Sequence, residues 1–115
     1  MSWPTPGVVR LIDAMVVAEG GDAAMVRAVQ ISVPTCGTIA EARVIAANTI
    51  AHALWDYVRL NHQPGMGIEP SFEDFVAFLG SRWAPVGAEN DPTNLNANWV
   101  PNVLAHLSAH GGAIA

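Results

Sequence analysis

Apolar residues recur at helical spacing along most of the chain, and this pattern predicts an all-α fold. The first helix is predicted to begin at Pro6, because proline suits the first helical position, and to end at Gly20 and Gly21. Residues three and four positions apart share one face of a helix. The apolar residues of this segment that follow that rule are Val9, Ile12, Met15 and Val16.

Two further helices are predicted in the first half of the chain. Asp22 suits the N-cap of a short second helix that ends at about Gln30. Thr38 and Glu41 have the spacing of a capping box, and no glycine or proline interrupts residues 39–61 after it. The alanine-rich segment 39–61 is therefore predicted to be the long central helix.

Two helices and a long loop are predicted in the second half. Ser71 suits the N-cap of a fourth helix that ends at Gly80, and a fifth helix is predicted from Trp99 to about Ser108. The stripe of large apolar residues on the fourth helix comprises Phe72, Phe75, Phe78 and Leu79. Between these helices, residues 81–98 are rich in proline, glycine, asparagine and aspartate, which is typical of a loop. We expect about five helices with a long ordered loop before the last one.

Length and composition predict one compact domain, residues 1–115. Hydrophobic residues make up 51% of the 115 residues and charged residues 13%, so most of the chain can be buried. No apolar run reaches the roughly 18 residues that a bilayer-spanning helix needs. Membrane insertion is therefore not expected.

Charge and the N-terminal sequence restrict the class of partner. The net charge is −5, and the five cations are arginines scattered along the chain instead of forming a basic stripe. A nucleic acid partner is therefore not expected. The N-terminal segment MSWPTPG has no basic n-region of a signal peptide, so we expect a separate delivery route for any action in the periplasm.

Glu19 is an unusual residue at the end of the first helix. The C-terminal end of a helix carries partial negative charge, which disfavours a carboxylate in the last turn. Helix stability does not explain an acid at this position. We therefore interpret Glu19 as a candidate functional residue.

A second candidate site lies in the long loop. Asn90, Asp91 and Asn94 stand between Trp83 and Trp99. Amides offer hydrogen-bond donors and acceptors together, and an indole can stack on the apolar face of a sugar ring, so this combination suits a carbohydrate. The alternative is that these Asn and Asp side chains bond to their own backbone in turns.

These two segments together resemble the lysozyme-like superfamily, and specifically small phage peptidoglycan hydrolases of the lytic transglycosylase type. The matching residues are Val17-Ala18-Glu19-Gly20, Trp83-Ala84-Pro85, Asn90-Asp91 and Trp99. The chain departs from this pattern after Glu19, where a helical segment, DAAMVRAVQISVP, replaces the Asn-Asn-Pro-Gly-Asn segment of many relatives.

The resemblance implies a phage-encoded enzyme that cleaves the MurNAc–GlcNAc bond of the peptidoglycan glycan strand. Glu19 would be the catalytic acid and base, and Trp83, Asn90, Asp91, Asn94 and Trp99 would bind the substrate. A carboxyl group donates a proton near neutral pH only where burial favours its neutral form, and the apolar neighbours expected for Glu19 meet that condition. No convincing second acid accompanies it, so the one-glutamate transglycosylase reaction is favoured over a muramidase reaction. The expected location is the virion, or the bacterial cytoplasm with delivery to the periplasm.

The alternative function is a non-catalytic virion or accessory protein that uses the same scaffold for contacts with other phage proteins. No cofactor and no metal site is expected. His106 and His110 have ligand spacing without an obvious third ligand. His52 and Asp56 are expected to form a buried hydrogen-bonded pair. Cys36 has no basic neighbour in the sequence that would activate a thiol.

Overall fold

Five α-helices make up most of the part of the chain that the structure describes. The computed structural model describes residues 4–61, 72–83 and 98–108, and these residues contain no β-strand. The helices are α1 (Pro6–Glu19), α2 (Asp22–Gln30), α3 (Ile39–Asn61), α4 (Phe72–Trp83) and α5 (Trp99–Ser108). The prediction of an all-α fold with about five helices is confirmed.

Helix α1 begins and ends where the sequence predicts. The Oγ1 atom of Thr5 accepts a hydrogen bond from the backbone N–H of Val8 and caps the N-terminus. At the other end Gly20 adopts the left-handed conformation, with φ of 108°, and its N–H bonds back to the last turn. A residue with a Cβ atom is strained in that conformation, so glycine is the residue that ends α1 cleanly.

The start of α2 differs from the prediction. Asp22 is the first helical residue instead of the N-cap, and Gly21 occupies the cap position with φ of 113°. Two consecutive glycines with positive φ, Gly20 and Gly21, connect α1 to α2, and α2 begins one residue earlier than an N-cap at Asp22 would place it. Asp22 then lies in the first turn, where its negative charge is favourable.

The predicted N-cap of α3 at Thr38 is confirmed, but Glu41 bonds to the Thr38 hydroxyl instead of the Thr38 backbone N–H that a full capping box uses. Thr38 Oγ1 accepts a hydrogen bond from the backbone N–H of Glu41 at 3.1 Å, and the same hydroxyl donates to Glu41 Oε1 at 3.1 Å. Buried alanines, including Ala42, Ala46 and Ala53, keep one side of the helix narrow. Helices α1, α2 and α4 all pack against α3.

The predicted end of α4 at Gly80 is wrong, because the helix continues to Trp83. Gly80 does not end the helix but allows α5 to approach it. A Cβ atom at this position would lie 2.7 Å from Val100 Cγ2 and 3.1 Å from Trp99 Cε3, which is closer than packed atoms normally come. Trp83 is therefore held on the last turn of a helix instead of lying in a loop. The predicted loop thus loses its first three residues to α4, and residues 84–97 lie outside the described part.

All five helices contribute side chains to one hydrophobic core. Helix α3, predicted to be central, packs against α1, α2 and α4. Helix α1 also packs against three helices, α2, α3 and most extensively α5, while α4 packs against α3 and α5, so α1 and α3 share the central place. Of the predicted aromatic stripe, Phe75 and Leu79 are buried and Phe78 is partly buried. Other core residues are Leu11, Met15, Met25, Ile50 and Val103.

None of the helices in the described ranges combines the length and the apolar character that a membrane-spanning helix requires.

Candidate functional site

The carboxyl group of Glu19 accepts hydrogen bonds from two tryptophan side chains. Trp83 Nε1 lies 2.9 Å from Glu19 Oε1, and Trp99 Nε1 lies 3.1 Å from the same oxygen. The three residues are far apart in the chain, with 64 positions from Glu19 to Trp83 and 80 to Trp99. The site is therefore created by the packing of three helices.

Each helix supplies its residue from one end. Glu19 is the last residue of α1, Trp83 is the last residue of α4, and Trp99 is the first residue of α5. Glu19 and Trp83 are partly buried, whereas Trp99 is only 5% exposed. The ring of Trp99 packs against Gly80, and its N–H group points to Glu19.

The two indole groups explain how an acid is accommodated at the end of α1. Two N–H dipoles directed at Oε1 offset the unfavourable interaction between the carboxylate and the C-terminal end of the helix. The carbonyl oxygen of a neutral carboxyl group can accept the same two bonds, so the geometry is compatible with either protonation state of Glu19. Both described bonds to Glu19 fall on Oε1, and no residue within the described ranges bonds to Oε2.

Three of the six predicted site residues are brought together, namely Glu19, Trp83 and Trp99. The ring of Trp99 belongs to the hydrophobic core, so its N–H group rather than its ring face is directed at the site. Asn90, Asp91 and Asn94 lie outside the described residues, and their predicted contacts with a glycan stay predictions.

A hollow of about 130 Å³ lies beside Trp83, on the side of α2 and α3. Sequence reasoning missed this feature, because its lining comes from short stretches of three helices and the α2–α3 connection, none of which forms a motif. The lining combines apolar side chains with two hydroxyl groups and one guanidinium group. It includes Val29, Ser32, Ile45, Thr49, Arg82 and Trp83.

Arg82 connects the end of α4 to α3. Its Nη1 atom lies 2.6 Å from Asp56 Oδ2, and its guanidinium carbon lies 4.6 Å from the centre of the Phe78 ring. Arg59 Nη2 lies 3.1 Å from the other oxygen of Asp56. The hydrogen bond from Arg82, together with the positive charges of both arginines, lowers the pKa of Asp56 below its ordinary value of 3.8.

The expected buried pair of His52 and Asp56 is wrong. His52 is exposed, and Asp56 bonds to the two arginines instead. Guanidinium groups offer several N–H donors in a fixed geometry and carry a full charge, so they bind a carboxylate more strongly than a neutral imidazole does.

The described ranges contain no group of three or more His, Cys, Asp or Glu residues that could hold a metal ion. His106 lies on α5, and His110 is outside the described residues. The thiol of Cys36 is buried and donates to the backbone carbonyl of Thr38 at 3.7 Å.

No family model, no curated protein and no solved structure matches this chain. The resemblance to the lysozyme-like superfamily therefore rests on the motifs in the sequence.

Proposed function

We propose that this protein cleaves the glycan strand of peptidoglycan at the MurNAc–GlcNAc bond, with Glu19 as the single acid and base, on a lysozyme-like fold. The observation that carries the proposal is the arrangement of one partly buried carboxyl group under two indole N–H groups. Trp83 and Trp99 also flank residues 84–97, which contain the amide side chains suited to a sugar.

The geometry assigns different roles to the two oxygens of Glu19. An indole N–H can only donate, so the two bonds fix Oε1 as an acceptor. A proton carried by Glu19 therefore resides on Oε2. Fixing one oxygen holds the carboxyl plane in place, and positioning of this kind is what proton transfer to a substrate oxygen requires.

The proposed reaction needs only this one carboxyl group. Oε2 donates its proton to the glycosidic oxygen as the bond between that oxygen and the anomeric carbon breaks. The C6 hydroxyl of the same sugar forms a new bond to the anomeric carbon and returns its proton to Oε2. The products are a 1,6-anhydro end and a free hydroxyl on the leaving sugar, and Glu19 recovers its original protonation state.

A two-carboxylate hydrolysis has less support. It requires a second carboxylate about 5–9.5 Å from the first, depending on the stereochemical outcome. Asp22 is exposed in the first turn of α2, a position explained by the helix dipole, and Glu89 and Asp91 lie outside the described residues. The one-glutamate reaction is therefore the preferred form of the proposal.

A second candidate function is a non-catalytic virion or accessory protein that binds other phage proteins. It is favoured by the exposed apolar side chains on α3, of which Trp55 is the largest. In that case the bonds between Glu19 and the two tryptophans serve only to join three helices. The enzyme would bind a peptidoglycan strand, whereas the non-catalytic protein would bind another virion protein.

The proposal is tested with purified protein and Gram-negative peptidoglycan. Wild-type protein is expected to release 1,6-anhydro fragments, detected by chromatography and mass spectrometry, and Glu19→Gln is expected to release none. Glutamine keeps a carbonyl oxygen for the indole groups, so the thermal unfolding temperature of this variant is expected to stay close to that of the wild type.

Three results would change the conclusion. Equal cleavage by wild type and Glu19→Gln would remove Glu19 from the reaction. Fragments with reducing ends would keep Glu19 but replace the transglycosylase route by hydrolysis. A folded wild-type protein that cleaves no glycan would favour the non-catalytic function. For either function, the proposed location is the virion, or the bacterial cytoplasm with delivery to the periplasm.

A further inference from the structure

A stripe of apolar side chains runs along the exposed side of α3. Three of its members are large and open to solvent, with Trp55 71% exposed, Val44 60% and Val58 42%. Successive members are four, seven, four and three residues apart, and each of these steps returns to the same face of a helix. The stripe, called the α3 stripe below, consists of Ala40, Val44, Ala51, Trp55 and Val58.

One side of α3 packs against other helices of this chain. Ala42, Ala46 and Ile50 on that side are fully buried against the other helices. The α3 stripe lies on the opposite side and contributes nothing to the core. Exposed apolar side chains that share one face of a helix, with a tryptophan among them, are typical of an interaction surface.

Charged residues border the α3 stripe on one flank. Glu41 stands near the N-terminal end of α3 and Arg59 near its C-terminal end, and both are exposed. On a helical projection the two residues fall at the same angle beside the stripe. The negative charge is thus at one end of this flank and the positive charge at the other.

The stripe and the charges share one centre. The midpoint between Val44 and Trp55 lies between residues 49 and 50, and the midpoint between Glu41 and Arg59 is residue 50. If a second α3 is laid antiparallel on the first with a two-fold axis at this point, Val44 faces Trp55 of the other copy. On the same flank, Glu41 faces Arg59 of the other copy.

A hollow receives the large side chain in this arrangement. At 1.5 Å per residue, Val44 and Trp55 both lie about 8 Å from the axis, on opposite sides of it. Beside Val44, between α1 and α3, is a mostly apolar hollow of about 310 Å³. Its apolar lining is Pro4, Val9, Ile12, Val44 and Ala47, and its polar lining is Arg43 and Asn48. The tryptophan of each copy meets the hollow of the other, so the contact occurs twice.

We propose that two copies of this chain associate through their α3 stripes in antiparallel orientation. The two-fold arrangement places Trp55 of each copy against the hollow beside Val44 of the other, and Glu41 of each copy against Arg59 of the other. A dimer of this kind uses the same surface on both copies, which is the commonest form of protein oligomer. The antiparallel order also sets the N-terminal end of each α3 dipole beside the C-terminal end of the other.

The second copy is favoured over an unrelated partner because the charge pattern is complementary to itself. A different protein would need its own row of apolar groups with a cation at one end and an anion at the other. This chain already carries that row, and the centre of the Val44–Trp55 pair lies within about half a residue of the centre of the Glu41–Arg59 pair. The proposal is independent of the activity of Glu19, which lies on α1.

The first test measures the mass of the wild-type protein in solution over a range of concentrations by analytical ultracentrifugation. A monomer–dimer equilibrium is expected. Trp55→Ala is expected to raise the dissociation constant about 30-fold or more, as loss of a central tryptophan does at other interfaces. Ile31→Ala is the matched control, because Ile31 is 61% exposed but lies outside α3, and it is expected to leave the constant unchanged.

The second test establishes the orientation. Arg59→Glu places two acids together in the antiparallel dimer and is expected to weaken association about tenfold. Combining it with Glu41→Arg restores opposite charges and is expected to return the constant to within about threefold of wild type. Circular dichroism of each variant checks that α3 remains helical, since within one chain Glu41 also bonds to Thr38 and Arg59 to Asp56.

Defined results would overturn the proposal. A wild-type protein that stays monomeric up to about 0.5 mM has no such dimer. A dimer whose dissociation constant is the same in wild type and Trp55→Ala uses another surface. A dimer weakened by Arg59→Glu, but weakened further instead of restored by adding Glu41→Arg, is not antiparallel.

Discussion

Trp99 donates its indole N–H group to Oε1 of Glu19 at 3.1 Å, and so joins the first residue of the last helix to the last residue of the first. The tryptophan ring is buried and the carboxyl group is partly buried, so this bond is shielded from most of the solvent. Trp83 reinforces it with a second bond to the same oxygen. The end of α1 is thereby fixed to α4 and α5 together.

Removal of the carboxyl group is expected to destabilise the fold more than its neutralisation. Glu19→Ala leaves two indole donors without their acceptor and is expected to lower the free energy of unfolding by about 1–3 kcal/mol. Glu19→Gln retains an acceptor and is expected to cost about 1 kcal/mol or less. Urea unfolding followed by circular dichroism measures both. Equal losses in the two variants would show that the indole bonds add little to stability.

The two tryptophans can be tested as a matched pair. Trp83→Phe and Trp99→Phe each keep an aromatic ring and remove one N–H donor. Both variants are expected to reduce glycan cleavage about tenfold, because the orientation of the carboxyl group then depends on a single bond. Initial rates of fragment release provide the measurement, with unfolding curves to show that each variant is folded. Full activity in both variants would show that this anchoring is not required for the reaction.

Gly80 is expected to tolerate alanine poorly although it lies inside a helix. Helix propensity alone would predict a gain of about 1 kcal/mol for Gly80→Ala. The added Cβ atom, however, would meet Val100 and Trp99 within 2.7–3.1 Å, and overpacking of this kind typically costs about 1–3 kcal/mol. The prediction is a net loss of stability together with a shift of tryptophan fluorescence as Trp99 moves. Gly37→Ala is the control, because the nearest atom there is 3.9 Å away, and its effect is expected to stay within about 1 kcal/mol of zero.

Because of the contact between Asp56 and Arg82, the stability of the fold is expected to decrease as the pH falls in the acid range. The pKa of Asp56 is lowered in the folded protein, first by the hydrogen bond from Arg82, so the folded state favours the ionised carboxylate. This contribution is present above the ordinary value of 3.8 and is lost as the pH falls through the lowered value.

Unfolding temperatures measured between pH 7 and pH 2 provide the test of that contribution. At pH 7 the unfolding temperature of the wild type is expected to be higher than that of Asp56→Asn. The difference between the two temperatures is expected to disappear towards pH 2. Arg82→Gln removes the hydrogen bond from Arg82 but leaves Arg59 beside Asp56, so it is expected to reduce the pH dependence without abolishing it. A difference from wild type that persists unchanged at pH 2 would assign the effect to something other than the charge of Asp56.

Tyr57 is the one tyrosine of the chain, which allows its titration to be followed directly. Burial, and then the negative charge of Asp74, raises the pKa of Tyr57 above 10.0. Its contribution to stability is therefore present below pH 10 and is lost as the pH rises through the raised value. Ultraviolet titration of the folded protein is expected to give a higher midpoint than titration in 8 M urea, and Asp74→Asn is expected to lower the folded midpoint. Identical midpoints in buffer and in urea would contradict the prediction.

Local signals predicted most of the helix boundaries. Thr5, Gly20 and the Thr38–Glu41 pair act through bonds to their own neighbours in the chain, so the sequence alone is sufficient to place them. Gly80 shows where such reasoning fails. A glycine is required at position 80 because α5, which comes from a later part of the chain, packs closely against it. No local sequence pattern distinguishes this requirement from a glycine that ends a helix.

The candidate site could be predicted only in part for the same reason. The position of Glu19 against the helix dipole marked it as unusual, and the motifs in the sequence grouped it with Trp83 and Trp99. The sequence did not indicate that the partners would be N–H groups instead of ring faces. That distinction depends on the burial of Trp99 beside Gly80, which follows from the packing of α4 on α5.

The extensive packing of α1 on α5 has a consequence for how the chain is made. Helix α1 is synthesised before α5, the helix that covers much of its apolar face, and 80 positions separate Glu19 at the end of α1 from Trp99 at the start of α5. At roughly 5–20 residues per second, the side chains of Leu11 and Met15 wait several seconds for that cover. Until α5 is made, the nascent chain presents an uncovered apolar helix, and it is during this interval that a chaperone would have a binding site on it.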